Sequence, residues 1–176
     1  MKTQFKEMYA TNPRDFKTYD TQQIREDFLI QNLMEDDVVN IVYSHNDRFI
    51  TGGAVPVTEK LPLETVDILK AEYFLERREM GVINVGGKGI VHIDGEKYEL
   101  GFKEAIYIGS GKKEIIFESV DPKKPAHFYF NSALAHTSCP VQKITLADAE
   151  IVDLGALESS NARRINKLIV NSNVKT

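Results

Sequence analysis

Short apolar runs recur about every ten residues through the middle of the chain, with turn residues between them. The runs lie at residues 38–43, 49–55, 73–75, 81–85, 90–93, 97–100, 105–108, 115–118 and 126–131. Asp94-Gly95 separates two of these runs and predicts a hairpin, because a type I′ turn needs positive φ at both central residues. Short strands at this spacing, with few helices between them, indicate the all-β class and an antiparallel sandwich or barrel.

The beginning of the chain departs from this pattern. Residues 1–19 mix polar and aromatic side chains without a period, which predicts an irregular arm over the surface. Asp20 then supplies a helix start, because its carboxylate can cap free amides and Gln23 follows three residues later, as in a capping box. Ile24 and Phe28 share one helix face, so a short N-terminal helix is predicted.

Composition and charge limit the possible functions. The length of 176 residues fits one domain, and an apolar fraction of 42% can support a buried core. The net charge of -4 argues against nucleic acid as a partner, because phosphate binding draws on clustered Lys and Arg. An anionic small ligand stays open and would need a local basic pocket. The sequence has neither an apolar run long enough to cross a bilayer nor an N-terminal signal region, so we expect a cytoplasmic protein with no membrane partner.

Metal-ligating and nucleophilic residues are sparse. The single cysteine, Cys139, cannot form an internal disulfide and is expected to be a partly buried, small apolar residue rather than a reactive thiol. No two of the four histidines lie within four residues of each other, which leaves no local ligand pair on a strand or helix. They are His45, His92, His127 and His136. We therefore predict no metal site in this chain and assign no catalytic residue.

Two arginine pairs are candidates for binding an acidic substrate. Arg77 and Arg78 lie between Glu76 and Glu79, and Arg163 and Arg164 lie near the end of the chain. Arginine binds carboxylates through two parallel hydrogen bonds, so either pair could orient a sugar acid. The alternatives are a structural ion-pair cluster for the first pair and solvated side chains for the second.

The central glycine-rich segments resemble the strand pattern of the cupins. This similarity covers residues 81–89, 91–95 and 98–100. Cupins hold a metal with an H-x-H pair and a following glutamate in a first motif, and with a histidine after the P-x-G turn of a second. Aligned on the glycines, the H-x-H pair falls within residues 72–75, which contain no histidine. The second turn falls on Gly109-Ser110-Gly111, with Glu114 in the position of the histidine.

Longer segments are similar to the 5-keto-4-deoxyuronate isomerases, and the similarity runs across nearly the whole chain. They are residues 42–45 with Asp47-Arg48, residues 73–79 and 81–87, and Asn161 with residues 163–167. The resemblance implies two fused cupin halves in the family, with zinc held by three histidines and a glutamate of the second half. It implies that this chain is the N-terminal half and that the zinc ligands are not in it, since the sequence stops at Thr176, near where the second half should begin.

The resemblance also implies a fold and a domain organisation. The expected fold is the cupin-type double-stranded β-helix, a jelly-roll barrel, preceded by the short helix. Residues 1–35 would form the arm and helix, and residues 36–135 the cupin-like barrel. Residues 136–176 would form an extension leading toward a second half that is absent from this chain.

The activity implied by the resemblance is an aldose-ketose isomerisation in pectin and uronate degradation. The substrate would be 5-keto-4-deoxyuronate and the product 3-deoxy-D-glycero-2,5-hexodiulosonate, with this chain alone inactive. We also expect a homo-oligomer, since sandwich edges are commonly covered by a symmetry mate.

Two other functions stay open at this point. One is a non-catalytic cupin module for sugar-acid binding or assembly, which fits the lack of a ligand set and of a nucleophile beside a base. The other is a metal-independent enzyme that uses Glu114 inside the barrel.

Overall fold

The computed structural model describes residues 3–175, and most of its regular secondary structure is β-strand. The helices are α1 (Pro13–Phe16), α2 (Thr21–Phe28) and a 3-10 turn at Asp67–Leu69. The strands are β1 (Thr3–Met8), β2 (Val39–Ser44), β3 (Ile50–Ala54), β4 (Leu61–Pro62), β5 (Arg78–Asn84), β6 (Gly89–Ile93), β7 (Glu96–Leu100), β8 (Ala105–Ile108), β9 (Ile115–Ser119), β10 (Phe128–Leu134), β11 (Gln142–Ile144), β12 (Glu150–Leu154) and β13 (Arg163–Lys167). The all-β prediction is confirmed.

Strands β3 to β10 form a jelly roll. The larger sheet has the order β1-β2-β3-β10-β5-β8-β11, and the smaller has the order β4-β9-β6-β7. From β3 to β10 the chain crosses to the other sheet after every strand except β6, which forms a hairpin with β7 in the smaller sheet. The strands β3-β10-β5-β8 face β4-β9-β6-β7, as in an eight-stranded jelly roll. The predicted cupin-type topology is therefore confirmed. The predicted barrel is an open sandwich, because within residues 3–175 no ladder joins one of these sheets to the other.

Aromatic side chains fill the space between the two sheets. Phe117, Phe128 and Phe130 are fully buried, and the Phe117 and Phe130 rings stack with centroids 5.9 Å apart. Phe74, in the loop before β5, packs against Phe130 in a T-shaped arrangement. Gly52 lies opposite Phe130 on β3, where a Cβ atom would overlap the aromatic ring. The glycine thus makes room for the largest side chain of its neighbouring strand.

The beginning of the chain is more regular than predicted. The irregular arm is wrong for residues 3–8, which form β1 and pair in parallel with β2 at the edge of the larger sheet. The predicted helix is confirmed as α2, with both hydrogen bonds of the capping box between Asp20 and Gln23. The first two residues of the predicted arm lie outside the described range.

Two further local predictions had opposite outcomes. The hairpin at Asp94-Gly95 is confirmed: both residues have positive φ, 48° and 86°, and they join β6 to β7. The strand predicted at residues 73–75 is wrong, because these residues form a turn. Phe74 and Leu75 are nevertheless buried, so their apolar character reflects a loop that closes over the core.

The last part of the chain extends the larger sheet and covers its outer face. β11 adds to the edge of the sheet beside β8, and β12 and β13 pair with each other as a separate hairpin. Leu168 and Val174 then pack with Tyr107 in a second apolar cluster on the outer face. Within residues 3–175, none of the helices combines the length and the apolar character that crossing a bilayer requires.

Replacing Phe130 with alanine should strongly destabilise the sandwich. The substitution removes a fully buried ring from the middle of the core, and such changes cost about 3 to 5 kcal/mol of unfolding free energy. Phe102→Ala is the matched control, because that ring is 57% exposed. Urea unfolding followed by far-UV circular dichroism measures both variants. Equal losses in the two would contradict the central role of Phe130.

Candidate functional site

A basic cleft opens where β3 and β5 begin and β10 ends. Its volume is about 480 Å³, which lies within the range of small-molecule sites. Three arginines and a histidine line it, together with apolar side chains that include Phe74 and Leu134. These four residues are Arg48, Arg77, Arg78 and His136. No aspartate or glutamate of the described chain lines this cleft, although the protein as a whole is acidic.

Arg78 forms the base of the cleft and belongs to the core. It is 3% exposed and faces inward at the first position of β5. Its Nη2 donates to the carbonyl oxygens of Arg48 at 2.7 Å and Ser132 at 2.8 Å, and its Nε donates to Ser132 Oγ at 3.1 Å. One buried guanidinium therefore joins β5, β10 and the turn between β2 and β3.

The charge of Arg78 persists at neutral pH despite its burial. Burial lowers the pKa of Arg78 to about 10, with a further lowering from the nearby Arg48 cation and a partial offset from Tyr43. Carbonyl and hydroxyl acceptors, rather than a carboxylate, satisfy the guanidinium. Its positive charge is therefore not cancelled by an ion pair within these contacts, and it adds to the positive potential of the cleft.

Arg77 lies on the opposite face of the chain from Arg78, and its side chain is 58% exposed. Its Nη2 donates to the carbonyl oxygens of Leu69 at 3.1 Å and Lys70 at 2.5 Å, at the end of the 3-10 turn. The Oε1 atom of Glu76 is 3.9 Å from its Nε, which is a long ion pair. Arg77 is thus anchored by the loop carbonyls while it remains accessible.

Arg48 supplies a third cation, which our reading of the sequence missed as a site residue. It occupies the second central position of the tight turn between β2 and β3, and its side chain is exposed. Within the described chain, its guanidinium has no hydrogen-bond or ion-pair partner. The only signal in the sequence was the Asp47-Arg48 pair within a polar gap between two apolar runs.

The other predicted arginine pair lies elsewhere. Arg164 binds Asp153 across the β12–β13 hairpin through two hydrogen bonds, of 2.7 and 2.9 Å. Arg163 is hydrogen-bonded to Asn161 on the same hairpin. Neither residue lines the cleft that contains Arg77 and Arg78. The structure therefore brings one predicted pair into a cleft and places the other in a hairpin.

The described residues do not fit a zinc site. Within residues 3–175, no group of three or more His, Cys, Asp or Glu side chains could hold a metal ion. His45 Nε2 is 2.9 Å from Glu7, and its ring stacks on Tyr9, which fastens β1 to the sheet. His92 Nε2 is 2.5 Å from Glu118. No step of a reaction is therefore assigned to a metal held by these residues.

Glu114 and Cys139 differ in their burial. The idea that Glu114 lies inside the barrel is wrong, because Glu114 is exposed just before β9 begins. Its backbone instead bonds to Asp94 of the neighbouring hairpin. Cys139, expected to be partly buried, is buried.

Comparison with known proteins relates this chain to one family of ketol-isomerases. The model of the KduI/IolB family matches residues 28–176. The 4-deoxy-L-threo-5-hexosulose-uronate ketol-isomerase of Formosa agariphila is 51% identical over all 176 residues, which cover 63% of the relative. The protein of the same name from Oceanobacillus iheyensis is 51% identical over 162 residues, 92% of this chain and 58% of the relative. The chain thus spans less than two thirds of the length of these relatives.

A solved structure supports the fold. The crystal structure of an IolB-like protein from Salmonella typhimurium LT2 superposes with a TM-score of 0.54 over 73% of this chain and 46% of that chain. The sequence identity is 14%, so this likeness concerns the fold alone.

Removing the guanidinium of Arg78 should destabilise the protein. Arg78→Met leaves the carbonyls of Arg48 and Ser132 without their donor, and an unsatisfied buried polar group costs about 1 to 3 kcal/mol. Arg14→Met is the matched control, because Arg14 is exposed on α1. The measurement is urea unfolding followed by far-UV circular dichroism. Equal unfolding free energies for the two variants would contradict the structural role of Arg78.

Proposed function

Since the chain belongs to the KduI/IolB family, we propose that it forms part of a ketol-isomerase that acts on 5-keto-4-deoxyuronate. The product is 3-deoxy-D-glycero-2,5-hexodiulosonate, in the breakdown of pectin and related uronates. The observation that carries this proposal is the 51% identity, over the whole chain, to a protein named for this reaction. The chain covers 63% of that relative, so the activity of the whole protein is inferred.

The role that we propose for this chain is recognition of the acid group of the substrate. The isomerisation moves a proton between adjacent carbons and needs a positioned acid or base. The cleft instead offers arginine cations and an apolar wall, and no carboxylate from residues 3–175 lines it. Such a site suits the carboxylate of a uronate, because arginine binds carboxylates well. We propose that proton transfer takes place in the part of the relatives that this chain does not cover.

Four arginines were predicted to bind substrate. Of these, Arg77 and Arg78 line the cleft, and we propose that they contribute to substrate binding there. Arg163 and Arg164 have less support for that role, since both already bind partners on their own hairpin. A part in contacts with the rest of the protein suits them better.

Zinc is proposed for the whole protein and not for this chain. Zinc would polarise the carbonyl and hydroxyl oxygens of the substrate. Zinc sites are built from histidine, cysteine and carboxylate ligands, and the described residues do not bring three such side chains together. We therefore assign the zinc ligands to residues beyond this chain.

We also propose a cytoplasmic homo-oligomer. The support is the exposed apolar side chains of the β12–β13 hairpin. Leu154 and Ile165 lie on one face and are 41% and 40% exposed, and Ile151 lies on the other face and is 50% exposed. An isolated two-stranded hairpin is marginally stable in water, so a covering surface from another part of the protein or another copy would stabilise it.

A second candidate is a non-catalytic module that binds or assembles with sugar acids. The observation in its favour is the cleft itself, where the described lining residues supply cations for an anion but no nucleophile paired with a base. This candidate differs from the first in one respect: it predicts binding without turnover, whatever is added to the chain.

A chimera tests the isomerase. The matching part of the Formosa agariphila relative is replaced by this chain, and conversion of 5-keto-4-deoxyuronate is followed by ¹H NMR. We expect turnover by the chimera and none by this chain alone, with or without added zinc. Circular dichroism and zinc content establish that the chimera is folded and loaded. A folded, zinc-loaded chimera without turnover contradicts the isomerase, and turnover by this chain alone contradicts the proposed division of roles.

A further inference from the structure

The turn between β2 and β3 has an unusual backbone for its sequence. Asp47 and Arg48 both have positive φ, 55° and 53°, and the amide of Phe49 donates to the carbonyl of Asn46 at 3.3 Å. This is the pattern of a type I′ turn, whose central positions favour Asn and Gly. An arginine at the second central position adopts the left-handed region that L-residues other than Asn and Asp rarely use.

The rest of the structure holds this turn in place. Arg78 Nη2 donates to the carbonyl of Arg48 at 2.7 Å, and Ser132 binds the same guanidinium. Arg78 and Ser132 are 3% and 1% exposed, so this anchor belongs to the core. The anchor uses only the backbone of Arg48 and leaves its side chain unpaired among the described residues.

The surroundings of the Arg48 side chain are suited to an anion. It lines the cleft with Arg77 and Arg78, and no acidic residue of the described chain does so. Unfavourable backbone conformations cluster at sites of function, where the surrounding structure enforces them. Here the enforced conformation sets the Arg48 guanidinium, which has no partner within residues 3–175, at a cleft of about 480 Å³. A cleft of this volume is large enough for a sugar acid.

We infer that Arg48 is the residue that contacts the carboxylate of the ligand, and that Arg78 acts as a positioning residue that fixes the Arg48 turn. The ligand class is a small hydroxylated carboxylic acid. Arg77, held by the carbonyls of Leu69 and Lys70, forms the other cationic wall. The choice of a sugar acid rests on the proposed function, whereas carboxylate binding by Arg48 can be measured without any turnover.

The probes are D-galacturonate and D-galactose, which differ only at C6, a carboxylate in the first and a hydroxymethyl group in the second. Titration is followed by ¹H–¹⁵N NMR of the chain. We expect galacturonate to shift the amides of residues 46–49, whereas galactose should not shift them. The absence of galacturonate binding, or equal binding of galactose, overturns the inference.

Arg48→Gly is the decisive variant. Glycine accepts positive φ at no steric cost, so the melting temperature should stay the same or rise. The affinity for galacturonate should fall at least about tenfold, because the charge-assisted hydrogen bonds are lost. Arg14→Gln removes the same charge from α1 and should bind as the unaltered protein does. Unchanged affinity in Arg48→Gly overturns the inference.

Arg78→Lys tests the positioning role. Lysine keeps the charge but cannot reproduce the three hydrogen bonds of the guanidinium. We expect weaker galacturonate binding together with shifted amides at residues 46–49 in the unliganded protein. Weaker binding with an unchanged turn contradicts positioning. Arg48→Gly tests the contact even if Arg78→Lys does not fold.

These outcomes separate the inference from the isomerase proposal. Binding that depends on Arg48, with an inactive chimera, keeps the anion site and removes the isomerase. Turnover by the chimera, together with galacturonate binding that does not change in Arg48→Gly, keeps the isomerase and removes the anion site.

Discussion

The packing of three phenylalanine rings between two sheets determines where a ligand can bind in this protein. Phe117, Phe128 and Phe130 are fully buried, and together they occupy the middle of the sandwich. Protein interiors are packed as densely as organic crystals, so an interior filled in this way has little room for a sugar acid. The basic cleft lies instead where β3 and β5 begin and β10 ends, beside the aromatic core.

The polar residues of β5 show how the core ends at either side. Its inward positions are Arg78, Met80, Val82 and Asn84, with apolar side chains in the middle and polar ones at the two ends. Asn84 satisfies the carbonyls of Gly87 and Leu100 at one end, and Arg78 satisfies those of Arg48 and Ser132 at the other. A buried cation is tolerated only with such partners, so the loop that supplies them is fixed in place. The same hydrogen bonds that complete the core therefore shape the cleft.

Local patterns in the sequence were enough for much of the fold. Three of these patterns depend only on residues near one another: the spacing of the apolar runs, the Asp94-Gly95 turn and the capping box at Asp20. The structure contains the strands, the hairpin turn and the capped helix that they predict. β1 could not be found in this way, because its pairing with β2 joins segments far apart in sequence. The apolar run at residues 73–75 was mistaken for a strand, because burial of a loop and burial of a strand leave the same short pattern.

The cleft was predicted only in part, for a similar reason. Arg77 and Arg78 are adjacent and look equivalent in sequence, yet one is anchored at the surface and the other is buried. Their difference follows from strand alternation at the start of β5, whose first residue faces the core. Arg48 has no sequence feature that marks it as a ligand contact. Its turn is held in place by the guanidinium of Arg78, which lies thirty residues later in the chain and cannot be linked to the turn from local sequence. Local preference and global structure conflict at this turn, and such conflicts are expected where function, rather than stability, determines the residue. A glycine at position 48 would relieve the backbone and remove from the cleft a guanidinium that has no hydrogen-bond partner among the described residues.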